Sequence, residues 1–263
     1  MTPQSNLRTI TPAWAAKVLK YKNVGNRPIN EKHVKELADE MAGGRWELNG
    51  DTICLNGERL IDGQHRLKAV ILSGVSIRTF VVDGLKSETF HTKDIGKRRS
   101  GSDTFAAAGE QNTTRLAAAL AMVETYMAGK AGYKMSYTNG QLQDLLDKYP
   151  DIRETCAKSF KCQGFVNRSI LDSCHYLFSK KDPELADVFI TATLKGVGLE
   201  AGSPWLALRE RLVSNSINKA KLDKWHLMAL CIKAWNSARK GKPLHQLKWT
   251  PDGKNAENFP IIL

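Results

Sequence analysis

The amino-acid sequence predicts an α+β protein with two parts. Residues 1–104 are expected to form a small mixed α/β unit, because short strand-like runs alternate there with helical apolar spacing and glycine turns. Residues 105–263 are expected to form a mostly helical unit, because their apolar residues recur at helical spacing. A chain of 263 residues is long enough for two small domains, each with its own core.

Capping and turn signals give the elements of the first unit in order. Residues 1–25 are expected to lead into the fold, with a short helix that starts at Thr11-Pro12. Asn30 is expected to cap the next helix, whose apolar residues keep helical spacing. The strands predicted after it are residues 52–55, 59–61 and 77–82, and the turn signal Asn56-Gly57 joins the first two.

Residues 60–69, Leu-Ile-Asp-Gly-Gln-His-Arg-Leu-Lys-Ala, join the second strand to a helix predicted over Gln64–Ser73. A glycine turn into a helix leaves N–H groups unpaired at the positive end of the helix dipole, where phosphate binds well. Gly63 would let the backbone approach a ligand closely, and Arg66 could bind an oxyanion with two N–H donors. This prediction requires an open turn and an Arg66 guanidinium that is not tied to an internal acid. The alternative is an ordinary βα turn that binds nothing.

This run resembles the core motif of the ParB/sulfiredoxin superfamily in its Asp-Gly-Gln-His-Arg form, and Asn26-Arg27-Pro28 resembles the upstream element of that family. Related versions of the motif bind the phosphates of CTP in ParB proteins and of ATP in sulfiredoxins. Gln64 stands where sulfiredoxins carry their reactive cysteine, which excludes reduction of oxidised peroxiredoxin. The resemblance implies CTP or ATP as cofactor with Mg²⁺, held by Arg27, Gly63, Gln64, His65 and Arg66.

Acidic and titrating residues near the motif are the candidates for catalysis. Phosphoryl transfer depends on positioning and on neutralising charge, so a carboxylate that holds a metal or orients an acceptor suffices. We expect Asp62, His65 and Asp94 to be catalytic, and Asp94 to be a metal ligand, because it lies between the last strand and a basic turn. Glu36 and Glu40 on the preceding helix are alternatives.

The formal charge of +12 favours a polyanionic partner, and we expect DNA. Three basic residues follow Gly96, and the window 219–242 holds seven basic residues against Asp223 alone, a formal charge of +6. Solvated surface charge is the alternative. Trp235 and Trp249 could stack on bases, although Trp235 fits a core position better. The residues expected to contact DNA are Lys97, Arg98, Arg99, Lys233, Arg239, Lys240 and Lys242.

Three functions remain open from the sequence. The first is a nucleotide-dependent, DNA-associated protein that hydrolyses or transfers the terminal phosphate. The second is a metal-dependent nuclease that uses Asp62, Asp94 and Asp103. The third is a non-enzymatic DNA-binding regulator or an accessory protein of a DNA-modification system. A phage or mobile element would be a fitting source for such a compact basic protein.

Localisation and assembly follow from simpler features. The chain has no apolar run long enough for a membrane span and no apolar signal at its N-terminus, so we expect a cytoplasmic protein without a membrane partner. Its five cysteines contain no paired Cys-x-x-Cys motif, which favours reduced thiols over a zinc site. The apolar tail, residues 259–263, is expected to dock on the body or on a second subunit, so a homodimer is one expected form.

Overall fold

The computed structural model describes residues 2–86, 99–158, 166–218 and 221–263. Within these residues it contains a four-stranded sheet and eleven α-helices, which confirms the α+β class. The chain divides into two compact units, Met1–Arg98 and Arg99–Leu263. No helix in the described ranges is both long and apolar enough to cross a membrane.

The first unit contains the sheet and three helices. In chain order its elements are β1 (Gln4–Ile10), α1 (Pro12–Lys22), α2 (Glu31–Ala42), β2 (Thr52–Leu55), β3 (Leu60–Asp62), α3 (Gln64–Ser73) and β4 (Ile77–Asp83). The strand order is β1-β4-β2-β3. Strands β2 and β4 run parallel, whereas β1 pairs antiparallel with β4 and β3 antiparallel with β2. The sequence predicted every one of these elements except β1.

Local signals fix the ends of the helices in this unit. Thr11 accepts a hydrogen bond from the Trp14 N–H at the start of α1, and Asn30 accepts one from the His33 N–H at the start of α2. Gly74 is the C-cap of α3 and adopts the left-handed conformation, with φ of 70°, which glycine adopts readily. Strand β1 was missed because all of its residues except Ile10 are exposed, so it carries no apolar alternation.

The second unit is helical throughout its described part. Its helices are α4 (Gly101–Ala107), α5 (Thr113–Met127), α6 (Asn139–Lys148), α7 (Ile152–Lys158), α8 (Arg168–Ser179), α9 (Pro183–Lys195), α10 (Pro204–Ile217) and α11 (Lys224–Arg239). They enclose one apolar core in which Trp235 is fully buried and stacks on Phe178, with ring centroids 4.2 Å apart. Trp249 is also buried, and its indole N–H donates to the Asn258 carbonyl. The prediction of a core Trp235 is confirmed, and neither indole is placed to stack on bases.

The boundary between the units precedes the predicted position after residue 104. Ser100 and Asp103 form a capping box at the start of α4, and Ser102 shares a hydroxyl hydrogen bond with Thr113 of α5. Residues 99–104 therefore belong to the helical unit. Asp103, which the nuclease hypothesis used as a metal ligand, is instead occupied in capping this helix.

The C-terminal tail docks on its own unit, as one of the two predicted alternatives requires. The Trp235 indole N–H donates to the Leu263 carbonyl, and the Ile262 N–H donates to the Tyr126 hydroxyl. Asn236 completes the contact by exchanging hydrogen bonds with the backbones of Ile261 and Leu263. These bonds hold the end of the chain against α5 and α11.

Candidate functional site

A cleft of about 940 Å³ opens where α2 and α3 begin. The His65 side chain, in the first turn of α3, accepts a hydrogen bond at Nε2 from the Asn30 N–H, at 3.0 Å, which joins the two helix N-termini. No side chain caps α3, because its N-cap residue is Gly63. Both helices thus direct the positive ends of their dipoles to one cleft. Its lining residues are Arg27, Pro28, Asn30, Lys32, His33, Glu36, Leu37, Asp51, Asp62, Gly63, His65 and Arg66.

Gly63 is required by the fold as well as by the turn. Its φ is 106°, which side-chain-bearing residues rarely adopt. A Cβ atom at this position would lie 3.1 Å from Ile53 Cγ1 and 3.3 Å from Ile53 Cα. The glycine therefore allows α3 to begin against β2. The structure shows a close approach of β2 at Gly63, and because Gly63 also lines the cleft, the expected approach of a ligand stays a prediction.

Arg66 lines the cleft, but its guanidinium is already engaged. Nη2 donates to the Thr52 carbonyl at 2.6 Å and to Asp62 Oδ2 at 3.0 Å, and Nη1 lies 3.1 Å from Asp51 Oδ2. Two carboxylates neutralise this cation, and the bond to Thr52 ties α3 to β2. The requirement set for phosphate binding at this turn, an Arg66 guanidinium not tied to an internal acid, is therefore not met, and the expectation that Arg66 presents two donors to a phosphate is wrong for this conformation. The same bonds also mean that Arg66→Ala would disturb the fold.

Arg27 is the cation best placed to meet an anion. It is exposed, it lines the cleft, and it has no ion-pair partner among the described residues. Lys32 lies on the first turn of α2, with its ammonium 3.8 Å from Glu36, a weak and solvent-screened pair. The sequence predicts phosphate binding mainly by the helix turn, whereas the structure makes Arg27 and Lys32 the better candidates for this role.

Two polar side chains hold the Arg27 segment in place. Gln64 donates from Nε2 to the Arg27 carbonyl at 2.9 Å, and its side chain is buried behind the cleft. Asn26 donates from Nδ2 to the Leu60 carbonyl and to Asn23 Oδ1. We expected Gln64 to contact the cofactor, and the structure makes it a positioning residue for Arg27. Asn26 likewise ties this segment to β3.

His65 is held as a neutral hydrogen-bond acceptor. Burial lowers its pKa below the usual 6.5, and the nearby charges of Arg27 and His33 lower it further. Because Nε2 accepts from the Asn30 N–H, the ring carries its proton on Nδ1. The His33 ring lies beside it, with centroids 5.4 Å apart. The Nε2 atom is thus unavailable to act as a general base in this conformation, which restricts the catalytic role expected for His65.

Acidification should destabilise the protein through this contact. Since the folded pKa of His65 lies below the unfolded value of 6.5, its contribution to stability is complete above pH 6.5 and is lost as the pH falls through the folded pKa. We expect the unfolding temperature, followed by circular dichroism, to fall as the pH drops below 6.5. His65→Gln keeps an acceptor but does not titrate, so it should flatten this dependence. Identical pH profiles for the two proteins would contradict the assignment.

The carboxylates at the cleft are Glu36, Asp51 and Asp62. Asp62 accepts from the Gly63 N–H at 2.7 Å and from Arg66, so both of its oxygens are hydrogen-bonded. Among the described residues no group of three or more His, Cys, Asp or Glu side chains could hold a metal ion. Asp94 lies outside those residues, so its predicted metal-binding and catalytic roles stay predictions. Glu40 is not among the residues that line the cleft, and it pairs with Arg45 at 3.0 Å, so the structure does not support it as a catalytic residue or metal ligand.

The predicted DNA-contacting residues have different surroundings. Lys97 and Arg98 lie outside the described residues, and Arg99 is exposed at the start of the second unit. Lys233 and Arg239 are ion-paired, with Glu257 at 2.5 Å and with Asp182 at 2.9 Å. Lys240 and Lys242 are exposed just after α11, and no ion-pair partner is found for either within the described ranges. These two lysines are the members of the set best placed to meet a polyanion.

Sequence reasoning missed several cleft residues. Lys32 and His33 were passed over, although they occupy the first turn of α2, directly after the Asn30 cap and close to Arg27 along the chain. Nothing in the sequence indicates that Asp51 lies beside Arg66. The pair of Asp62 with Arg66 joins residues four apart in the sequence, across the Gly63 turn between β3 and α3.

Comparisons of the chain with protein-family models, with curated proteins and with solved structures find no match. Functional conclusions are therefore drawn from the cleft, its charges and its hydrogen bonds.

Proposed function

We propose that the first unit binds the phosphate groups of a nucleoside triphosphate, CTP or ATP, in the cleft at the start of α2 and α3, and that the second unit contacts DNA. The observation that carries the proposal is the meeting of two helix N-termini beside Arg27, which has no ion-pair partner in the part of the chain that the structure describes. The resemblance of residues 60–69 to a nucleotide-binding motif supports the same ligand class.

The cleft offers an anion three kinds of attraction. The uncapped first turn of α3 supplies backbone N–H donors, since Gly63 provides no side chain to bond them. Each helix dipole contributes about 0.3–1 kcal/mol towards an anion at its N-terminus. Arg27 and Lys32 add full charges, and a hydrogen bond to a charged group contributes roughly 1.5–3 kcal/mol. Together these terms favour a polyphosphate over a single small anion.

The acids of the cleft fit a magnesium nucleotide better than a bare one. Mg²⁺ usually binds one or two protein carboxylates together with phosphate oxygens, and Asp51, whose side chain is 58% exposed, can supply such an oxygen at the cleft. Mg²⁺ would also neutralise the repulsion between these acids and the phosphates. Glu36 is the described candidate to orient an acceptor if the terminal phosphate is hydrolysed or transferred, since both oxygens of Asp62 are already hydrogen-bonded.

The nucleic-acid part of the proposal rests on two basic turns that lie together. The ion pair between Arg239 and Asp182 brings the end of α11 to the turn before α9, where Lys181 is exposed and Lys180, also exposed, pairs with Asp151 at 2.7 Å. Lys240 and Lys242 follow Arg239 closely in the sequence, so they extend the basic surface at this end of α11. Such a cluster suits phosphates of a nucleic-acid backbone, with contacts that carry no sequence information.

The nuclease alternative has less support from the described residues. Asp62 is bonded to Arg66 and Gly63, and Asp103 caps α4 in the other unit. A two-metal nuclease needs several acids around a shared centre. The function that the described geometry supports best is therefore nucleotide binding in a DNA-associated protein.

A nucleotide screen tests the proposal directly. Each of the four ribonucleoside triphosphates, with and without Mg²⁺, is added to the full chain and the unfolding temperature is measured. Binding to the folded state raises that temperature, and a ligand at a hundred times its Kd stabilises by about 2.7 kcal/mol. We expect a shift with CTP or ATP that grows with Mg²⁺ and that inorganic tripolyphosphate reproduces in part. No shift with any triphosphate would overturn the proposal.

A further inference from the structure

The outer edge of β1 has no strand beside it in the described part of the protein. Strand β1 is the first strand in the sheet order and pairs on one side with β4 over seven consecutive residue pairs, from Gln4 with Asp83 to Ile10 with Ile77. That pairing is regular, without a bulge. Alternate residues of β1 therefore direct their backbone N–H and C=O groups outward, where another strand can bind them.

The exposed edge of β1 lacks most of the features that prevent an edge strand from pairing with another chain. Proteins usually protect an exposed edge with proline, lysine, a bulge or a short strand. Within β1 there is no proline, no lysine and no bulge, and Arg8 is its single charged residue. A regular seven-residue strand with an open edge is a template for strand addition.

An apolar row on one face of the sheet ends at the same edge. Leu7 is 40% exposed and lies opposite Phe80 of β4, which is half-buried. Directly opposed residues of antiparallel strands point to the same face, so these two side chains lie side by side. The row stops at Leu7 because the sheet stops there.

We propose that two copies of the chain pair through β1, antiparallel and symmetrically about Leu7, and so join their sheets. This register places Leu7 against Leu7 of the second copy and continues the apolar row from Phe80 of one chain to Phe80 of the other. It also places Ser5 against Thr9 and Asn6 against Arg8, which are pairs of hydrogen-bonding side chains.

The charge on Arg8 selects this register over its neighbour. A pairing centred on Arg8 would set the two arginines directly opposite each other, and like charges opposed across a strand pair are unfavourable. Centring on Leu7 gives each arginine an asparagine amide instead. Strand β1 is therefore complementary to itself in the register centred on Leu7, and self-complementarity is what a two-fold symmetric interface requires.

Cysteine cross-linking in the full chain tests the proposed register between the two β1 strands. Opposed residues of antiparallel strands have Cα atoms about 4.5–5.5 Å apart, within the range that a disulfide spans. We expect Leu7→Cys to form a disulfide-linked dimer under mild oxidation, and a mixture of Ser5→Cys and Thr9→Cys chains to form a mixed one. Thr9→Cys alone should not link to itself. Wild type and Val24→Cys, which is 68% exposed in the same unit, serve as controls.

Sedimentation across a concentration series tests the dimer itself. Leu7→Lys sets two ammonium groups opposite each other at an exposed site, so it should abolish the dimer and leave the unfolding temperature of the monomer unchanged. Val24→Lys should leave dimerisation unchanged. A wild-type chain that is monomeric throughout the series, or a dimer that survives Leu7→Lys, would overturn the proposal. Self-linking of Thr9→Cys would overturn the register.

Discussion

Replacing Arg27 with alanine should weaken binding of the magnesium triphosphate by roughly 10- to 150-fold, because a hydrogen bond to a charged group contributes about 1.5–3 kcal/mol. Arg27 is exposed, and its side chain has no ion-pair partner among the described residues, so its removal leaves no buried charge behind. The contact that positions it uses its backbone carbonyl, which alanine retains. We therefore expect the unfolding temperature without ligand to stay unchanged. Isothermal titration calorimetry with CTP and ATP measures the effect.

Two further variants test whether the loss of affinity is specific to the Arg27 side chain. Arg78→Ala removes an equally exposed arginine from β4, which does not line the cleft, and should leave affinity unchanged. Arg27→Lys keeps the charge but loses the planar pair of donors, so its affinity should lie between those of wild type and alanine. Equal losses in Arg27→Ala and Arg78→Ala would mean that general charge, rather than this cleft, attracts the ligand.

The contrast with Arg66 shows what can be predicted from the sequence of the motif. The helix, the glycine turn before it and the preceding strand were predicted because each is specified by neighbouring residues. The partners of Arg66 were not, because Thr52 and Asp51 reach it through the sheet rather than along the helix. A motif can thus fix the backbone of a site while distant residues decide which of its side chains meets the ligand.

The same limit applies to the other elements that were missed or misread. Strand β1 is defined by its pairing with β4, far along the chain, and its own side chains are mostly polar. The sequence allows Trp249 to stack on bases, but in the structure its indole N–H donates to the Asn258 carbonyl. The helices of the second unit were more predictable, because apolar spacing and caps are local.

Asp172→Ala should lower the free energy of unfolding of the second unit by about 3–5 kcal/mol, the usual cost of breaking a buried ion pair by removing one partner. Asp172 is fully buried on α8 and accepts hydrogen bonds from Arg115 of α5 at 2.8 and 3.0 Å. The same guanidinium also donates to the Cys156 carbonyl at the end of α7. One carboxylate therefore holds together three helices of this unit.

Chemical denaturation with a paired control measures this effect. Glu257→Ala breaks the Lys233–Glu257 pair, in which both side chains are about a third or more exposed, and should cost at most about 1 kcal/mol. Replacing Arg115 and Asp172 together with leucine should recover part of the loss, since no unpaired charge then remains. A loss no larger for Asp172→Ala than for Glu257→Ala would show that the pair contributes little. Because Lys240 and Lys242 follow a helix packed on α8, nucleic-acid binding should fail in Asp172→Ala only under conditions in which this unit unfolds.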